Sequence, residues 1–133
     1  MAMDYFFELN PTFVPQSDWR ERYFSGIVSN PWYFLRWILS DGARAGFILF
    51  GLEDHRFLPR KTGVIYELYV LPEFRRRGVA KACAQEAIRQ LRTQFPSKIQ
   101  LEILDGAPAA SEFWKSLGFR KVSERFVLDP NLP

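Results

Sequence analysis

The chain has 133 residues, of which 47% are hydrophobic, 25% charged and 17% aromatic, with a formal net charge of +3. One globular domain over residues 1–133 is the expectation, since two domains need more chain and a disordered protein carries fewer apolar residues. Cys83 and His55 are each the only residue of their kind, which excludes an internal disulfide and a Cys/His metal cluster. The amino terminus does not read as a signal peptide and no apolar run nears the ~18–20 residues of a membrane helix, so the expected location is cytoplasmic, with no membrane partner.

Residues 5–9 are short and aromatic and read as a strand, broken by Pro11 and Pro15. Ser17 or Asp18 then caps a helix that carries Trp19, Tyr23 and Ile27 on one face and ends before Asn30-Pro31. Two aromatic and branched runs, 32–40 and 43–52, flank Asp41-Gly42. That dipeptide signals a hairpin, because both central residues of the tight turn need positive φ. Trp32, Tyr33, Phe34 and Trp37 alternate across the first run, so one set belongs to the core and the other is available to wall a cleft. Residues 53–63 are polar and read as a loop, with His55 on its surface.

Val64 to Leu71 is a strand that ends at Pro72. Ala80, Cys83, Ala84, Ala87, Ile88, Leu91 and Phe95 then follow the spacing of one buried helix face, and Pro96 stops that helix. Cys83 on this face is a core residue rather than a nucleophile. Residues 99–104 are another strand. Pro108 opens a second helix with Ala110, Phe113, Trp114 and Leu117 on its apolar face and Gly118 as its stop. Residues 119–122 and 125–128 are final strand material. Antiparallel strands come first and strand–helix–strand units come later, so the class is mixed α/β.

The charge is unevenly placed. Residues 1–63 balance to zero, and the stretch 75–92 holds six basic residues (Arg75, Arg76, Arg77, Lys81, Arg89, Arg92) against Glu86 alone. A local excess of this kind points to an anionic partner. The strand at 64–71 runs through Pro72-Glu73-Phe74 into Arg75-Arg76-Arg77-Gly78-Val79-Ala80-Lys81, where the helix begins. The first amides of a helix have no internal partners, the helix dipole adds partial positive charge, and Gly78 and Ala80 let backbone approach a ligand. This is a phosphate cradle. It is neither the P-loop of nucleotide hydrolases, because no Gly-Lys-Ser/Thr follows, nor the dinucleotide fingerprint, because the three spaced glycines are missing.

Arg75-x-x-Gly78-x-Ala80 resembles the Q/R-x-x-G-x-G/A signature of the GNAT superfamily of acyl-CoA-dependent N-acyltransferases. The approach Glu67-Leu68-Tyr69-Val70-Leu71-Pro72-Glu73-Phe74, the strand at 99–104 and the helix with its Gly118-Phe119 ending resemble the same family, in order and spacing, over roughly residues 32–122. The resemblance implies a mixed, mostly antiparallel central sheet flanked by helices and splayed between the strands at 64–71 and 99–104. It implies acetyl-CoA as co-substrate, no metal, and direct acetyl transfer to an amine. The pyrophosphate would lie on the amides of Arg76, Arg77, Gly78, Val79, Ala80 and Lys81, with Arg75 beside them. The pantetheine arm would pair with Leu68, Tyr69 and Val70, and the Val70 amide would donate to the thioester carbonyl.

Glu67 and Glu102 are the candidate general bases, each on a strand bordering the expected cleft, and each is equally readable as a strand residue paired with an arginine. Two positions depart from the family pattern. Trp114 stands where the family often has a tyrosine acid, and an indole cannot protonate a thiolate; Tyr66, Tyr69 or water are the candidate substitutes. Ala107 stands where the family often has a capping Asn. These departures motivate a rival reading as an acyl-CoA-binding sensor without catalysis. A nucleic-acid-binding module is a second rival, against which stands the lack of aromatics interleaved with the basic run. More than half of the 22 aromatics lie in residues 1–50, so the acceptor side is expected there. The short carboxyl end leaves room for an edge strand supplied by a partner chain, and so for a homodimer.

Overall fold

The computed structural model describes residues 19–132. The strand expected at 5–9 and the helix cap expected at Ser17 or Asp18 lie outside them. The chain divides into two compact units, one running through Glu102 and the other from Ile103 onward.

In the first unit, α1 (Trp19–Val28) precedes the hairpin of β1 (Tyr33–Ser40) and β2 (Ala43–Glu53). Asp41 and Gly42 take φ of 50° and 80°, the paired left-handed turn that Asp-Gly favours. β2 is buried from Ala45 through Leu52, the pattern of a strand covered on both faces. β3 (Thr62–Val70) pairs antiparallel with β2. A crossover through α2 (Val79–Arg92) then brings β4 (Ile99–Leu101) parallel to β3. The sheet order is β1-β2-β3-β4, a mixed and mostly antiparallel sheet as expected.

Two irregularities of register shape this sheet. Leu49 faces Glu67 while Phe50 faces Ile65, so Tyr66 bulges from β3 without a partner on β2. Pairing with β4 stops at the same place, at Ile65 opposite Leu101. Beyond it β3 continues to Val70, and among the described residues no strand accompanies it on that side. This is the expected splay, and the bulge marks where it begins. The second irregularity sits in the hairpin, where Ile38 faces Gly46 but Leu39 faces Arg44. Gly46, beside that bulge, lies so close to β3 that a Cβ would collide with the Tyr69 carbonyl.

The helix at 79–92 buries Ala84, Ala87 and Leu91. Cys83 and Val79 pack on the cluster of Ile38, Ala45 and Val70. The expected helix extends too far, however: Phe95 lies beyond its end, exposed, at φ 50°. Pro96 bars its neighbour from the right-handed helix, and Arg60 holds the turn by donating from Nε to the Phe95 carbonyl (2.9 Å) and from Nη2 to the Pro96 carbonyl (3.1 Å). The strand expected at 99–104 also ends early, at Leu101.

In the second unit, α3 (Pro108–Ser116) starts with proline in its first turn and buries Trp114. The indole packs edge-on against Phe113 and Phe119, with ring centres 4.9 Å and 5.4 Å away. Gly118, at φ 99°, ends the helix, and the Phe119 amide returns to the Trp114 carbonyl at 3.1 Å. The strands expected at 119–122 and 125–128 do not form. Backbone becomes strand only where another strand pairs with it, and among the described residues none does.

Candidate active site

The end of β3 turns through a 3-10 turn (Pro72–Phe74) into Arg75 and on to α2. Arg76 takes φ 61° and Gly78 φ 75°. Left-handed backbone at a non-glycine residue is uncommon and recurs at ligand-binding turns. Gly78 is the N-cap of α2, no side chain caps the helix and no acid lies in its first turn. The first bond within the helix runs from the Ala82 amide to the Gly78 carbonyl at 3.0 Å. The amides of Val79, Ala80 and Lys81 therefore lack helical acceptors. Arg76, Arg77 and Lys81 stand exposed around them, and the Arg77 guanidinium lies 5.8 Å from the centre of the Phe74 ring.

The structure separates the basic residues that sequence alone groups together. Arg89 forms a two-point pair with Glu86, Nε to Oε2 at 2.8 Å and Nη2 to Oε1 at 2.5 Å. That hydrogen bonding holds the Glu86 carboxyl down at about 2. Arg75 turns back: its Nε donates to the Val70 carbonyl at 2.8 Å and its guanidinium lies 5.5 Å from the centre of the Tyr69 ring. Arg76, Arg77 and Lys81 are the cations left at the turn itself.

Backbone direction along the open part of β3 follows from one bond. The Leu71 amide donates to the Ala45 carbonyl, toward β2, at 2.7 Å. Amides alternate along an antiparallel strand, so those of Val70 and Leu68 point away from β2, into the side that β4 has left. Tyr69 points its backbone toward β2 and its side chain is buried, with its ring 6.1 Å from that of Phe47. Leu68 and Val70 belong to the α2 face, so half-buried Glu67, one residue before Leu68, alternates with them and faces the opposite side of the sheet. Glu102 follows the last residue of β4 and is exposed. Glu67 thus lies on the stretch of β3 beyond its pairing with β4, and Glu102 lies just past the end of β4. Both have interactions within the protein.

Of the tyrosines considered as an acid, Tyr66 is already committed. Its hydroxyl donates to Glu53 Oε1 at 2.7 Å and its ring lies 4.9 Å from that of Tyr33. Burial first, then the Glu53 hydrogen bond, push its proton affinity well above the ordinary phenol range. No sequence pattern links Glu53 with Tyr66, since they meet only through the β2–β3 register. His55 is a loop organiser: its Nδ1 accepts the amides of Phe57 and Leu58, each at 3.0 Å. Burial pushes the Cys83 thiol up to about 11, in keeping with a core position. Trp32 and Trp37 are both exposed, whereas Tyr33 and Phe34 are half-buried, so the alternation sets neither tryptophan in the core. A groove of about 520 Å³ runs from Arg77 and Gly78 along α2 to Ile38 and Phe50. It lies on the β1 side of the helix, while the strand gap lies on the β4 side of β3.

An open strand edge thus leads into an uncapped, cationic helix start, with Glu67 on β3 and Glu102 just past the end of β4. The sequence model of the GNAT acetyltransferase family matches residues 2–119, and the chain belongs to that family. Among solved structures it is similar to a putative acetyltransferase from Agrobacterium tumefaciens, at 18% identity and a TM-score of 0.79, covering 96% of this chain and 90% of that one. It is similar also to an aminoglycoside acetyltransferase from an uncultured soil metagenomic sample (14%, TM-score 0.70, 96% and 84% covered). A third is the ribosomal-protein-alanine N-acetyltransferase of Brucella melitensis biovar Abortus (16%, TM-score 0.68, 82% and 80% covered). No match is found among curated proteins.

Proposed function

We propose that the chain, as one acetyltransferase domain over residues 1–133, transfers the acetyl group of acetyl-CoA directly to a primary amine of a small molecule or a peptide. The observation that carries this reading is the continuity of the Leu68 and Val70 amides, turned into the gap, with the uncapped start of α2. The residues fit the co-substrate: left-handed Arg76 and Gly78 shape the turn, and Arg76, Arg77 and Lys81 surround amides that lack acceptors. In this reading the diphosphate rests on the amides of residues 76–81 and the pantetheine arm adds to β3 as a strand would. The Val70 amide donates to the carbonyl oxygen as negative charge builds there. Glu67 or Glu102 would take a proton from the acceptor's ammonium, directly or through water, to free the amine that attacks. Bound acetyl-CoA would supply the activated acyl group, with the coenzyme A thiolate as leaving group. Arg75 keeps the end of β3 and the turn in register by holding the Val70 carbonyl.

A second reading, an acyl-CoA-binding sensor with little or no catalysis, is favoured by one observation. α3 presents a buried Trp114, with no hydroxyl, and begins at Ala107 with no side-chain cap. The test is acetyl-CoA binding by calorimetry and thermal shift, run beside thiol release over a panel of amines and peptides. Binding with turnover on an amine is expected. Binding without turnover on any acceptor selects the sensor, and failure of acetyl-CoA to raise Tm at millimolar concentration overturns both.

A further inference from the structure

We infer that Tyr66 and Glu53 form a latch that positions Glu67, by holding the bulge that turns this carboxylate onto the face of β3 opposite α2. The inference rests on the acetyltransferase reading and deepens it: of the two candidate bases, Glu67 is the one that the latch serves.

The bulge sets the face on which Glu67 lies. Ahead of the bulge, Gly63 points at α2, since a Cβ there would lie 3.4 Å from Leu91 Cδ1, and Leu91 is buried on that helix. Ile65 shares this face: its partner Phe50 lines the groove along α2. Side chains alternate along a strand, so a regular β3 would place Glu67 under α2 as well, with Leu68 and Val70 changing faces in turn. The structure has the reverse, with Leu68 and Val70 packed beside Val79, Ala80 and Cys83. One extra residue, Tyr66, shifts the phase, and Tyr66 and Glu67 come to lie in succession on the opposite face. A bulge lost or moved by one residue would carry the carboxylate toward the apolar side of α2, where its charge is costly.

The bulge is held through its own side chain. Tyr33 faces Gly51, Gly51 faces Val64 and Glu53 faces Thr62, so Tyr33, Glu53 and Tyr66 share the face opposite α2. The Tyr66 hydroxyl reaches back along it to Glu53 Oε1 at 2.7 Å, and its ring rests 4.9 Å from that of Tyr33. A hydrogen bond onto a carboxylate is among the stronger kinds and fixes the donor's direction. Burial and Glu53 keep the phenol protonated, so it remains a donor at neutral and mildly alkaline pH. The residue that β2 leaves unpaired is thereby tied to the last residue of β2.

The test uses variants of the full chain, assayed on an amine that the wild type acetylates. Tyr66→Phe keeps the ring and removes the donor. Glu53→Leu removes the acceptor, and Glu53→Gln keeps one. Tyr66→Phe and Glu53→Leu are each expected to lower kcat roughly ten- to a hundredfold, the scale of a misplacement of about 1 Å. They should move the acidic limb of the pH–rate profile and leave KM for acetyl-CoA unchanged, and Glu53→Gln should recover most of the loss. In a Glu67→Gln background, Tyr66→Phe should lower kcat little further, because the group it positions has lost its function. Titration of the Glu67 carboxyl by side-chain 13C NMR reads the same placement without turnover: its midpoint is expected to shift in Tyr66→Phe, while that of Glu102 stays. Wild-type kcat and pH profile in Tyr66→Phe, an undiminished effect of Tyr66→Phe in the Glu67→Gln background, or an unmoved Glu67 titration overturns the inference. Should Tyr66→Phe fail to fold, the two Glu53 variants carry the same comparison. If the wild type acetylates no amine, the acetyltransferase reading fails by itself, and the Glu67 titration decides whether the latch places this carboxylate.

Discussion

The Nε of Arg75 donates to the carbonyl of Val70 at 2.8 Å. The first basic residue of the turn is therefore spent on the strand that precedes it, on the open side toward which the Val70 amide also points. A charged hydrogen bond of this kind contributes about 1.5–3 kcal/mol. Arg75→Ala is expected to weaken acetyl-CoA binding roughly tenfold by calorimetry and to lower Tm. Arg75→Lys, which keeps the charge and loses the directed Nε–H, should behave nearly as badly, because position rather than charge is at stake. Full retention of affinity in the lysine variant would show that Arg75 meets the ligand as a simple cation.

Two glycines separate torsion from collision. Gly78 sits at φ 75° with open space where a Cβ would go, whereas Gly46 has an ordinary φ and the Tyr69 carbonyl in that place. Gly78→Ala is expected to cost about 1–2 kcal/mol of stability by denaturant unfolding, the left-handed penalty of a side chain, and to weaken coenzyme A binding. Gly46→Ala should cost about 3 kcal/mol, since β2 and β3 must part. It is expected to act on stability first, with binding lost only as the sheet deforms.

The sequence made the hairpin legible through Asp41-Gly42 and the turn into α2 legible through Gly78, because short-range backbone chemistry sets both. It did not separate the arginines. Arg75, Arg76 and Arg89 read alike in a string, and only the fold turns one onto Val70, leaves one at the helix start and pairs one with Glu86. The Tyr66 bulge was equally hidden, since a register shift depends on two strands and leaves no mark in either. Residues 119–122 and 125–128 read as strand from composition, which shows that a segment suits a ladder but not that a second strand lies beside it.

The two glutamates can be told apart kinetically. Glu67 occupies the open stretch of β3 and Glu102 follows β4. Glu67→Gln and Glu102→Gln keep the shape of each side chain and remove its basicity. The residue that serves as base is expected to lose about 10²- to 10⁴-fold in kcat with KM for acetyl-CoA little changed, and its variant should lose the acidic limb of the pH–rate profile. The other variant should keep both. Equal and small effects in the two variants would assign the proton to water.

Cys83 makes a prediction whose sign is set by its burial. Its thiol packs beside Val79 and Ala80 on the Ile38–Val70 cluster, and burial raises its pKa to about 11, from 9.0 for an exposed thiol. The folded protein therefore holds this proton more tightly than the unfolded chain. Stability from this group is fully present below about pH 9 and is lost as pH rises toward about 11. Unfolding free energy measured from pH 8 to 11 is expected to fall in wild type and to fall less in Cys83→Ala, after other titrating groups are matched between the two. Alkylation by iodoacetamide at pH 8 should be slow beside a model thiol and accelerate through that same range, because only the thiolate reacts. Fast alkylation at neutral pH would mean that the α2 face opens to solvent in the folded protein.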